Sequence, residues 1–87
     1  MDLKEFSEKE ISDFKKLVGF NVKRLRQDAG FSQMKLYEAI GHSSNSIIAQ
    51  GELAKKNFNI EQLYKISKVL GCKMNDFFLP YAKEEKN

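Results

Sequence analysis

Eighty-seven residues, 41% of them hydrophobic and 31% charged with a single proline, suffice for one folded domain with a modest core, and no apolar run approaches the roughly 18 residues of a membrane span. Cys72 and His42 are each the only residue of their type, so the chain cannot assemble a Cys/His metal site or a disulfide, and nucleophilic chemistry would have to pass through His42 alone; no enzyme, metal or cofactor is expected. The net charge of +3 conceals an asymmetry, with a net of −3 over residues 1–13 and +7 over residues 14–73, the latter a footprint suited to a polyanion.

The chain starts acidic and interrupted, Met1-Asp2-Leu3-Lys4-Glu5, without the basic-then-apolar order of a signal peptide, and a cytoplasmic location is expected. Three segments are expected: an acidic one over 1–13, a domain over 14–79 and a charged tail over 80–87. Ser7 and Glu10 form a capping-box pattern, and Ile11, Phe14, Val18, Val22, Leu25 and Ala29 recur at helical spacing up to Gly30. Gly19 interrupts that stripe at about 1 kcal/mol relative to Ala, so residues 8–28 are read as one bent helix or two consecutive ones. Ser32 caps a second, short helix with Met34, Leu36, Ala39 and Ile40 as inward candidates, ended by Gly41. After the polar turn His42-Ser43-Ser44, residues Asn45 to Gln50 make a third helix stopped at Gly51. Lys55-Lys56-Asn57 is a basic loop. Asn59 caps a fourth helix, with Ile60, Leu63, Tyr64, Ile66, Val69 and Leu70 at helical spacing before Gly71, and a fifth, short one runs from about Met74 to Leu79. No alternating strand pattern, repeat or phosphate-binding glycine motif occurs, so the expected fold is all-α with five helices.

Two short helices joined by a tight turn and set among flanking helices can project the second into a DNA major groove. Val18-Gly19-Phe20-Asn21-Val22-Lys23-Arg24-Leu25-Arg26, Gly30-Phe31-Ser32-Gln33, Leu36, Gly41, Phe58-Asn59-Ile60-Glu61-Gln62-Leu63 and Val69-Leu70-Gly71 together resemble the Cro-type phage-repressor (xenobiotic-response-element-like) helix-turn-helix DNA-binding family. The likeness covers about residues 17–78. It implies a five-helix phage-repressor-like domain acting as a transcription regulator, more often a repressor, on double-stranded DNA. By resemblance Gln33 holds a DNA phosphate, Lys55 and Lys56 touch the sugar-phosphate backbone, and Arg26 pairs with Glu52 to hold the first helix to the third.

Glu52 lies one residue further from Gly41 than the family pattern places its Glu, which implies one inserted residue. If it sits in the Ser-rich turn, Ser44 is the cap and a phosphate contact, Ile48 the core anchor, and Asn45, Ser46, Ala49 and Gln50 face the groove. If it sits later, Ile47 is the anchor, and Ser44, Asn45 and Ile48 face the groove. Asn and Gln suit base reading because each can make a bidentate contact with adenine. Three positions depart from the pattern: Tyr37 replaces a common Ala, His42 a small apolar residue, and Ala54 a customary Gly. The bulky run Phe77-Phe78-Leu79-Pro80-Tyr81 exceeds what one short helix can turn inward, and Phe77, Phe78 and Tyr81 are expected at a homodimer interface. The competing reading is a protein-interaction module on the same fold, an anti-repressor or antitoxin-like partner, suggested by the acidic start and the altered packing.

Overall fold

Ser7 accepts a hydrogen bond from the Glu10 amide (3.2 Å) and starts α1 (Glu8–Asp28), a helix that runs through Gly19 without interruption. The protein is described by a computed structural model over residues 6–42 and 46–81. Of the two possibilities open for residues 8–28, the single helix is the one observed, and it passes residues 13 and 14 unbroken. Then follow α2 (Gln33–Ala39), α3 (Ser46–Glu52), α4 (Ile60–Leu70) and a 3-10 helix (Met74–Phe78). The architecture is therefore all-helical, with the fifth element a tighter 3-10 turn rather than an α-helix.

Every element contributes to one core: Val22 from α1, Leu36 and Ile40 from α2 and its end, Ile48 from α3, Leu63 and Ile66 from α4, and Phe77 from the 3-10 helix, all buried. Burying each such side chain stabilises the fold by about 1.5–3 kcal/mol relative to exposure. α1 packs against α3 and the 3-10 helix, α2 against α3 and α4, and α4 against the 3-10 helix. Met34 and Ala39, expected inside, are exposed. Leu36, Tyr37 and Ile40 already define the inward stripe, and Met34 lies about 200° around the helix from Leu36.

Close approaches at the end of α3 explain two glycines. A Cβ on Gly19 would lie 2.6 Å from the Glu52 carbonyl oxygen and 2.7 Å from that of Gly51, so its absence lets the end of α3 rest on the α1 backbone. Gly51 does not stop α3, which continues to Glu52; it is kept small because the Phe58 ring occupies the place of its missing side chain. The stop comes at Ala54, which takes the left-handed conformation (φ 61°) while its amide bonds the Gly51 carbonyl and the Lys55 amide bonds that of Gln50. That is a Schellman ending.

The C-terminal segment is strapped to α1. The buried Asn21 amide donates to the carbonyls of Phe77 and Leu79, both at 2.9 Å. Phe78 stacks on Phe14 (ring centroids 5.9 Å apart), and Tyr81 meets Phe20 edge-on (4.9 Å). The apolar run is thus divided. Phe77 has no exposed surface and is removed from the expected dimer face, because its position in the 3-10 helix turns it into the core; Phe78, Leu79 and Tyr81 remain exposed. Among the described residues, no helix is long and apolar enough to cross a membrane.

Candidate nucleic-acid interface

α2 is launched by Ser32, whose hydroxyl accepts from the Lys35 amide (3.0 Å), and closed at Gly41, where the His42 amide returns to the Tyr37 carbonyl (2.8 Å). α3 then lies across α1 and α2. Of the two candidate anchors, Ile48 is wholly buried while Ile47 is half-buried at the edge of the core. Ser46 is exposed, and Ala49 and Gln50 are half-buried. Asn45 and Ser44 lie outside the described residues.

The far end of α3 is fixed by a buried ionic clamp. Arg26 Nε donates to Glu52 Oε2 (2.6 Å) and Nη2 to Oε1 (3.0 Å), a bidentate pair whose side chains are only 8% and 3% exposed. The remaining guanidinium nitrogen, Nη1, donates to the Phe31 carbonyl (2.8 Å) in the α1–α2 turn. Gln33 Nε2 joins from the first residue of α2, donating to Glu52 Oε1 (3.0 Å). One carboxylate therefore gathers α1, α2 and α3 at a single point and sets the angle at which α3 is presented. The Gln33–Glu52 bond has no counterpart among the sequence-based expectations, which turn Gln33 outward only. A primary amide carries two N–H groups, so one can serve Glu52 while the other stays available.

Beyond α3 the amides of both Lys55 and Lys56 bond the Gln50 carbonyl (2.9 and 3.2 Å), which holds the basic loop against the helix end with both lysines exposed. Asn21 is a further structural residue that the sequence does not single out. Its one signal there is a polar side chain beside Val18 and Val22 on the stripe facing the core.

The sequence model of the helix-turn-helix family matches residues 22–77, well over half of the chain, and takes in α2, the turn and α3. The chain belongs to the Cro/C1-type helix-turn-helix family. Its two motif helices are α2 and α3, and the Arg26–Glu52–Gln33 clamp sits where they meet α1. Among solved structures, the crystal structure of the hypothetical transcription factor NHTF from Neisseria shares this helix-turn-helix fold with a TM-score of 0.73, at 20% identity, over 93% of this chain and 90% of that one. A comparison with curated proteins finds no match.

Proposed function

We propose that the protein is a DNA-binding transcription regulator that reads an operator with α3, most simply as a repressor that occludes a promoter. The observation that carries this reading is the clamp: a buried bidentate ion pair, tied also to Gln33 and the Phe31 carbonyl, holds a seven-residue helix in one orientation with Ile48 and Gly51 inward. A rigidly presented short helix is what base reading in a major groove about 12 Å wide requires. In this reading Asn45, Ser46, Ala49 and Gln50 face base edges. Lys55, Lys56, Ser44 and the second amide hydrogen of Gln33 hold phosphates and set the register. Two such domains form a homodimer through Phe78 and Tyr81.

Selecting bound fragments from the source genome at about 150 mM salt, where non-specific binding is already weak, tests the reading. A recurring, approximately palindromic sequence is expected, and a fragment pool no different from the input would refute it. Lys55→Ala with Lys56→Ala should weaken operator and random DNA alike and flatten the salt dependence by roughly one unit of slope for each phosphate that the loop no longer neutralises. An unchanged slope would take the loop out of the interface.

A further inference from the structure

Between the N-terminal half of α1 and the loop joining α3 to α4 lies an open groove of about 260 Å³. Ile11, Phe14, Phe58 and Phe78 form its apolar floor and walls, Lys15 and Lys56 stand at it, and among the described residues no acidic one lines it. Ile11 and Phe14 are the first residues of the inward stripe of α1, yet 42% and 51% of their surface faces solvent, and the Phe78 ring stacked on Phe14 leaves the rest of that ring open. The volume falls below the roughly 300–1,000 Å³ of small-molecule pockets and suits a few apolar side chains on a helix laid along a groove.

We propose that this groove seats an acidic amphipathic helix of a partner protein, its apolar face on Ile11, Phe14 and Phe58 and its carboxylates on Lys15 and Lys56. The choice of occupant follows from charge: two ammonium groups, with no carboxylate among the described lining residues, favour an anionic partner and disfavour a basic one. Lys56 belongs both to this groove and, on the reading proposed above, to the phosphate-binding loop, so partner and DNA exclude each other. The surface is a site at which a second protein switches DNA binding off.

Display of random peptides on the full-length protein, counter-selected against Ile11→Glu, tests the docking half. Enriched peptides should carry apolar residues at helical spacing with carboxylates between them, and Ile11→Glu should weaken their binding at least tenfold. Lys15→Glu should weaken it as well and regain binding when a carboxylate of the peptide is replaced by lysine, a rescue that mere misfolding would not give. Enriched peptides that are basic, or that bind Ile11→Glu as well as the unaltered protein, would overturn the proposal. So would sedimentation showing that Ile11→Glu converts a dimer to a monomer, since the occupant would then be a second copy. The exclusion half is read by adding a selected peptide to the protein on labelled random DNA, where displacement is expected and simultaneous binding refutes it. If the unaltered protein binds no DNA at all, the regulator reading and the exclusion fall together, while the peptide arm decides docking by itself.

Discussion

Ala54 is where a single side chain opposes the local backbone. α1, α2 and α4 end with Gly30, Gly41 and Gly71 in the left-handed region, at φ 80°, 89° and 71°, and α3 ends the same way on an alanine at φ 61°. A non-glycine residue there costs about 1–2 kcal/mol, partly offset by the greater freedom of glycine in the unfolded chain. Ala54→Gly is therefore expected to stabilise the protein by about 0.5 kcal/mol and raise Tm by about 2–4 °C in a thermal melt. An unchanged or lower Tm would show that the Ala54 methyl makes a compensating contact. Cys72 gives a second case at this scale. Burial pushes its thiol above the ordinary cysteine range, with the nearby Asp76 carboxylate adding to the effect, so less thiolate is present near neutral pH. Alkylation by iodoacetamide at about pH 7.5 should run slower in the folded protein than in urea, and equal rates would contradict that picture. Gln50 belongs to the proposed base-reading face, and Gln50→Ala should cost about 1–3 kcal/mol on the operator while sparing random DNA. Equal losses on both would remove it from base reading.

Between elements, two buried polar connections hold what hydrophobic packing alone leaves unfixed. Arg26→Ala strands the Glu52 carboxylate in a buried place and should destabilise the fold by about 3–5 kcal/mol in urea titration, whereas Arg26→Met with Glu52→Leu should recover much of that loss. If the double replacement is as unstable as the single one, the clamp stabilises through the pair itself and not by avoiding an unpaired charge. Asn21→Ala leaves the carbonyls of Phe77 and Leu79 without their donor and should cost about 2 kcal/mol. Faster proteolysis near Leu79 would mark the release of the strap. These two connections also show what is legible in the sequence. Helical periodicity marks Val22, Leu36, Leu63 and Ile66, because apolar spacing reports local geometry directly, whereas in α3 the family pattern leaves Ile47 and Ile48 both open and only the packing selects Ile48. The end of α3 is misplaced by sequence because Gly51 has two possible meanings, a left-handed stop or room for a neighbour, and only the Phe58 ring tells them apart. The strap is illegible for a related reason: Asn21 and Phe77 are far apart in sequence, and no local pattern states that an amide on one will meet the carbonyl of the other.

At the scale of the whole molecule, one domain of this size reads too few base pairs to find a site in a genome, and the usual solution is a two-fold dimer presenting two recognition helices about 34 Å apart. The surface left over by folding suits that need. Once Phe77 is in the core, Phe78, Leu79 and Tyr81 lie along α1 with 37%, 40% and 50% of their surfaces exposed, and Phe20 beside them is 42% exposed. Their contacts with α1 order the rings without covering them: the edge-on Phe20–Tyr81 pair and the Asn21 hydrogen bonds fix the segment, so little conformational entropy remains to be lost when a second copy covers it. Covering such rigid aromatic surface is the main favourable contribution expected at the centre of an interface. A homodimer is therefore expected in sedimentation at micromolar concentration, with an operator whose half-sites are about one DNA turn apart. Phe78→Ser with Tyr81→Ser should shift it to monomer, lower affinity for the full operator and leave affinity for random DNA per domain nearly unchanged. Circular dichroism must show the helices intact, since Phe78 also rests on Phe14. A protein that sediments as a monomer before any substitution, or a dimer indifferent to both, would place the two-fold contact elsewhere or remove it altogether.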